Sequence, residues 1–220
     1  MIRYKLLIMC SFFLSIFCFS RVYAMVNDNS LLGKIIYLDA GHGGIDSGAL
    51  YGNIYEKDIN LILVNKLANE LVSRGAIVYL TREGDYDLST TKINRKRSDL
   101  SNRAKLINES DCDIYFSIHL NYMANSKWGG LQIFYNNKND QNKEIASFFT
   151  DKLKDKYSYI RDYKYDNSYY MYKLINKPGV LIEMGFLSNP NDRYRLTRDE
   201  YRDGLIFSIV DIISLYFNNK

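Results

Sequence analysis

The 220-residue chain contains only two histidines, His42 and His119, and both belong to strand-like apolar runs. Ile35-Ile36-Tyr37-Leu38-Asp39 leads into Ala40-Gly41-His42-Gly43-Gly44, and Ile114-Tyr115-Phe116-Ser117-Ile118 ends on His119. A third run, Val180-Leu181-Ile182, ends on Glu183. Glu56 opens a stretch with helical periodicity. Two imidazoles and a carboxylate are a donor set used by catalytic zinc, which takes three protein ligands and leaves a position for water. His42, Glu56 and His119 fit that count. Water at such a site reaches a pKa near 7, and a further carboxylate, Glu183, can take its proton and deliver it to a leaving amine. The chemistry implied is amide hydrolysis.

Taken singly, each residue has an ordinary explanation. A histidine in a glycine loop can be a turn residue, and an acidic residue in a first helical turn is accounted for by the helix dipole. Glu183 is harder to dismiss, since a carboxylate in an apolar strand is costly if buried without a partner. The conjunction of the four carries the reading.

These residues need strands to hold them. Apolar runs that give way to glycine clusters read as buried strands entering tight loops. Ile59, Leu63, Leu67 and Leu71 recur at helical spacing over residues 56–74, with Gly75 as the stop. Strands are expected over 76–81, 113–119 and 131–135 and up to Glu183, and helices over 99–108, 140–156 and 200–217. Residues 82–97 read as a polar surface loop. Strands alternating with helices give the fold class α/β: a single domain, a mainly parallel twisted sheet with helices on both faces. In such sheets sites form at the carboxyl ends of the strands, so residues distant in sequence converge there.

Residues 1–24 stand apart. Arg3 and Lys5 precede an apolar run from Leu6 to Phe19, and Val22-Tyr23-Ala24 has the small-residue pattern of a cleavage site. This predicts a signal peptide over 1–24, a catalytic domain over 25–220, and export across the cytoplasmic membrane. Without Arg3, Lys5 and Arg21 the 29 basic residues fall to 26 against 25 acidic ones, so the formal charge of +4 nearly vanishes. A near-neutral domain argues against a nucleic-acid partner. Cys10 and Cys18 fall in the signal, which leaves Cys112 with no internal disulfide partner and the role of a small core residue.

The blocks around these residues resemble one family over nearly all of residues 34–217. Asp39-Ala40-Gly41-His42-Gly43-Gly44, then Asp46-Ser47-Gly48-Ala49, Glu56-Lys57-Asp58-Ile59-Asn60-Leu61, Leu100-Ser101-Asn102-Arg103, Ser117-Ile118-His119-Leu120-Asn121 and Pro178-Gly179-Val180-Leu181-Ile182-Glu183-Met184-Gly185-Phe186-Leu187-Ser188-Asn189 are similar to the zinc-dependent N-acetylmuramoyl-L-alanine amidases. The resemblance implies His42, Glu56 and His119 as ligands of Zn2+ and Glu183 as the catalytic carboxylate. It also implies the substrate: peptidoglycan, cut at the amide between N-acetylmuramic acid and L-alanine of the stem peptide. Arg95-Lys96-Arg97-Ser98-Asp99-Leu100 and Ser168-Tyr169-Tyr170-Met171-Tyr172 resemble the germination-specific, CwlD-type branch. That branch implies spore-cortex maturation, action in the cell wall or forespore intermembrane space, and functional pairing with a muramic acid deacetylase that completes muramic-δ-lactam. Separately, the absence of any accessory module predicts an activating protein partner that presents substrate or completes the metal site. Two alternatives remain open at this level: a noncatalytic peptidoglycan-binding protein, and a zinc carboxypeptidase that trims stem peptides. The tyrosine-rich stretch 157–172 could pack internally, stack on sugars or meet a partner.

Overall fold

A computed structural model describes residues 29–220; the expected signal over 1–24 lies outside them. Six strands, β1 (Ile35–Ala40), β4 (Ile77–Leu80), β5 (Ile114–Asn121), β6 (Gln132–Tyr135), β7 (Lys164–Tyr165) and β8 (Gly179–Phe186), form one sheet. Their order across it is β4-β1-β5-β8-β6-β7. Every pairing is parallel except β6 with β8. A small hairpin, β2 (Leu50–Tyr51) and β3 (Ile54–Tyr55), stands outside the sheet. The helices are α1 (Glu56–Ser73), α2 (Arg95–Glu109), α3 (Asn142–Lys156), α4 (Pro190–Leu196) and α5 (Asp199–Asn218).

Strand alternation divides the sheet into two faces. Ile36, Leu38, Phe116, Ile118, Val180 and Ile182 point one way, into a large core with Leu63 and Leu67 of α1, Ile145 and Phe149 of α3 and Ile209 of α5. Each such side chain removed from water contributes roughly 1.5–3 kcal/mol. Tyr37, Tyr115 and Leu181 point the other way, into a smaller cluster with Ala104 and Ile107 of α2 and Met171, Tyr172 and Ile175. Two residues further along the same strands, this second face carries Asp39, Ser117 and Glu183, and two beyond Ser117 it carries His119. The helices therefore cover both faces, and the second is covered only in part. Cys112 is buried in the smaller cluster, as its sequence context suggested.

The structure corrects several boundaries. β5 and β8 do not stop at His119 and Glu183; both continue, and Asn121 pairs with Phe186 after a register shift. Helix α2 starts at Arg95, not at 99, because Arg95 is tied to Asp87 by its Nε and Nη2 at 2.9 and 2.8 Å, a contact that leaves no periodic signature. The hairpin, β7 and α4 were not anticipated. The first two are only two residues per strand, and α4 is a seven-residue helix capped by the Asn189 side chain, which accepts from the Asn191 and Asp192 amides.

Candidate functional site

Four strand and helix ends bring the anticipated residues to one cavity of about 280 Å³, lined by His42, Glu56, His119 and Glu183 together with Asp39, Asp46, Lys96, Tyr169 and Tyr170. His119 and Glu183 are register partners on adjacent strands, so their side chains lie side by side on the same face. His42 follows β1 by two residues and Glu56 is the first residue of α1.

Glu56 is the hub. Its Oε1 lies 3.1 Å from His42 Nε2 and 3.0 Å from His119 Nδ1, and it also accepts the Leu120 amide at 3.0 Å. Its Oε2 accepts the Ala49 amide at 2.7 Å. Burial works against the charge on Glu56, but the two imidazoles outweigh it and hold the carboxyl well below the usual carboxylate range. The imidazole rings meet edge-to-face with centroids 4.9 Å apart. One donor atom from each of His42, Glu56 and His119 lies within 4.8 Å of the other two, a spacing that allows these residues to hold a metal ion. Glycines make the approach feasible. A Cβ on Gly41 would lie 2.2 Å from the His119 ring, and one on Gly48 would lie 2.5 Å from Glu56 Oε2.

His42 sits at φ 64°, in the left-handed region that non-glycine residues seldom occupy. Two buried arginines hold that turn. Arg103 donates to Asp39 Oδ1 at 2.8 Å, to the Ala40 carbonyl at 2.7 Å and to the His42 carbonyl at 2.6 Å. Arg82 donates to the carbonyls of Ala40, Gly41 and Lys57. Asp39 also accepts from Thr81 and Ser117. Its burial opposes ionisation, and Arg103 beside it holds the carboxyl below its ordinary range. Asn60 Nδ2 donates to the Gly41 carbonyl at 3.2 Å. The sequence reading assigned no role to Asp39, Arg82, Arg103 or Asn60. The available signal was the i,i+4 pair Asp99–Arg103, with Arg103 on the apolar side of α2 beside Ala104 and Ile107.

On the other side of His42, Asp46 Oδ2 lies 3.0 Å from Nδ1, close enough for an ion pair but not aligned for a hydrogen bond. Burial alone would depress the imidazole; Asp46 and Glu56 outweigh it and push His42 up to about 9. Glu183 shows the opposite balance. It is 4% exposed, its Oε2 has no hydrogen-bond partner, and burial followed by the negative charge of Glu56 raises it to about 8. The Tyr169 hydroxyl meets this carboxylate and is kept protonated by burial and by Glu183. Tyr169 in turn packs edge-to-face on Phe134 and Tyr172. The tyrosine-rich stretch is thus divided. Tyr157 bonds Ser208, Tyr163 and Tyr165 flank Tyr135, Tyr172 is buried, and Tyr169 and Tyr170 face the cavity.

A mainly parallel α/β sheet whose strand ends gather two histidines, a buried ligand-type carboxylate and a second, proton-holding carboxylate has the equipment of a hydrolase. The chain belongs to the N-acetylmuramoyl-L-alanine amidase family (Amidase_3), whose model matches residues 36–214. It is 43% identical over 195 residues to the germination-specific N-acetylmuramoyl-L-alanine amidase of Bacillus subtilis (strain 168), covering 86% of this chain and 82% of the relative. Among solved structures, it is similar to the CwlD amidase of Clostridioides difficile in complex with the GerS lipoprotein, with 37% identity, a TM-score of 0.79, and coverage of 86% of this chain and all of that one. It also matches an N-acetylmuramoyl-L-alanine amidase of Clostridium difficile 630, with 33% identity, a TM-score of 0.74, and coverage of 85% of this chain and 98% of that one.

Proposed function

We propose that this protein is a zinc-dependent N-acetylmuramoyl-L-alanine amidase that removes stem peptides from muramic acid during spore-cortex maturation. His42, Glu56 and His119 hold the zinc and Glu183 moves the protons. The observation that carries this reading is the pairing of two unlike carboxylates in one cavity: Glu56, kept ionised between two imidazoles, and Glu183, buried and poised near neutrality. Environments that drive two carboxyls apart mark ligand and acid–base roles.

The His2Glu donors match zinc's preference, and the ion, when bound, supplies a Lewis acid for the scissile carbonyl and acidifies water at the site. The protein supplies the rest. Arg103 and Arg82 pin the His42 turn, and the Leu120 and Ala49 amides fix both Glu56 oxygens, so the donors are set before substrate arrives. Glu183 removes a proton from the attacking water and passes it to the nitrogen of the departing L-alanine. Glu183 lines the cavity and its Oε2 has no hydrogen-bond partner, which leaves an acceptor for that proton. The Tyr169 hydroxyl steadies the carboxylate. The products are a muramic acid carboxyl on the glycan and a stem peptide with a free amino terminus.

The cellular role rests on the likeness to the germination-specific relative and to the CwlD chain. In it, the amidase exposes muramic acid for a deacetylase, and the pair complete muramic-δ-lactam. Export through residues 1–24 and an activating protein partner belong to the same reading; the neighbouring CwlD structure contains a lipoprotein partner. The test is to incubate zinc-supplemented protein with purified peptidoglycan, beside Glu183→Ala, and to identify the products by mass spectrometry. Peptides beginning at L-alanine, absent with the variant, are expected. Shortened stem peptides still attached to glycan would assign the protein to carboxypeptidases instead, and intact muropeptides from folded, zinc-loaded protein would favour a missing activator or a wall-binding role.

A further inference from the structure

The catalytic cavity does not end at its ionisable floor. It continues into an open groove lined by Asn94, Arg95, Lys96, Arg97, Leu100 and Tyr170, and Lys96, Leu100 and Tyr170 line both. The two parts differ in how their charges are matched. In the floor, Asp39 and Asp99 sit against Arg103, and Asp46 and Glu56 against the histidines, whereas the groove carries three cations and no carboxylate.

Not all three cations are available. Arg95 is neutralised by Asp87 at 2.8 Å. Lys96 reaches Asp46 only at 3.4 Å, and Asp46 is shared with His42. Arg97 has no carboxylate partner among the described residues. Its guanidinium lies 4.7 Å over the Tyr170 ring, and Tyr170 is itself anchored through its hydroxyl to Ser101 at 3.3 Å. Stacking on the ring and a contact with the Tyr170 hydroxyl order the Arg97 guanidinium while leaving most of its donors free, so less freedom is lost when an anion binds. An ordered, unneutralised guanidinium with a lysine beside it is suited to a carboxylate.

We infer that Lys96 and Arg97, with Tyr170 as the platform, form a subsite for the free carboxylate of the acidic stem peptide. This rests on the amidase reading and specifies which part of the substrate the groove recognises. The stem peptide continues from L-alanine into a γ-linked D-glutamate, which leaves a free α-carboxyl close to the scissile amide. The basic groove attracts that carboxylate and, by holding it beside the cavity, sets the direction in which the peptide lies. Lys96 and Arg97 are then specificity determinants for substrates in which this carboxyl is free rather than amidated.

The experiment compares two synthetic muramoyl peptides that differ only in this carboxyl, free or amidated, using zinc-loaded wild-type protein, Arg97→Ala, Lys96→Ala and the conservative Arg97→Lys. The expected result on the free acid is a KM raised on the order of tenfold by Arg97→Ala, the loss of one hydrogen bond to a charged group, with kcat nearly unchanged. Arg97→Lys should recover part of the loss. On the amidated peptide the wild type should already show the higher KM, and the alanine variants should add nothing, so the side chain and the carboxyl would be coupled in a double-mutant cycle. Equal KM values for both peptides with the wild type, or an equal loss on both peptides with the variants, would overturn the subsite while leaving the amidase assignment standing. Failure of the wild type to release an L-alanine peptide from either substrate would sink the amidase reading and this inference with it.

Discussion

Glu183→Gln should abolish amidase activity and yet stabilise the metal-free protein, by an amount that depends on pH. In the folded chain burial and the charge of Glu56 raise Glu183 from 4.5 to about 8. Below pH 4.5 folded and unfolded chains both carry the proton, and the group contributes nothing to the difference. Between 4.5 and 8 the unfolded chain has lost its proton while the folded chain keeps it, so the folded state loses stability as pH rises. Above 8 both are ionised and the penalty is complete. At 1.36 kcal/mol per pH unit, the penalty at pH 7 comes to about 3 kcal/mol. Glutamine keeps the shape and removes the charge, so the variant should gain most of that, which is about 6–12 °C in Tm for a domain of this size. Urea denaturation of wild type and variant in EDTA at pH 5, 7 and 9 measures it. The gap should be small at pH 5, open by pH 7 and be widest at pH 9, with m unchanged. A variant no more stable than wild type at pH 9, or a gap independent of pH, would refute the account of Glu183 as a carboxylate strained by its surroundings.

Zinc affinity should rise about tenfold per pH unit up to about pH 9, because metal must displace the proton that Asp46 and Glu56 hold on His42; competition with a chromophoric chelator across pH measures the slope, and a flat profile would remove His42 from the ligand set. Gly41→Ala should leave the fold intact but displace the His119 ring, which stands 2.2 Å from the new Cβ, with zinc binding weakened and kcat lowered by roughly 10²; wild-type zinc stoichiometry and activity would contradict that packing. Asp39→Asn leaves the Arg103 charge deeply buried and less fully compensated, and should cost about 3–5 kcal/mol in chemical denaturation. A loss under 1 kcal/mol would show that Asp99 alone suffices for Arg103.

Much of this protein could be read from its residues because two periodicities are strong. The apolar runs around Ile36, Phe116 and Ile182 are strands buried on both faces, which need continuous hydrophobicity, and α1 repeats leucine at helical spacing along its buried side. His119 and Glu183 stood out because titratable groups closing such runs are costly without a purpose, the glycines beside His42 announced a tight turn, and Glu56 at the head of its helix gained weight only from the other three. Those features are local, and the sequence by itself determined them. It also determined the α/β class and the donor types.

Tertiary structure decided what depends on groups meeting across the fold. Which strands are neighbours sets His119 beside Glu183, and the continuation of both strands past these residues comes from the pairing of Asn121 with Phe186. Arg82 opens a segment that reads as polar surface and Arg103 falls in an expected helix, yet both are buried because the carbonyls of the His42 turn and the Asp39 carboxylate satisfy them. The same holds for the start of α2, fixed by Arg95 on Asp87, and for the division of the tyrosines between packing and the cavity. The polarity of the two carboxyls is the clearest case: Glu56 and Glu183 are the same residue type, and only the imidazoles around one and the dry, anionic surroundings of the other set them several pH units apart.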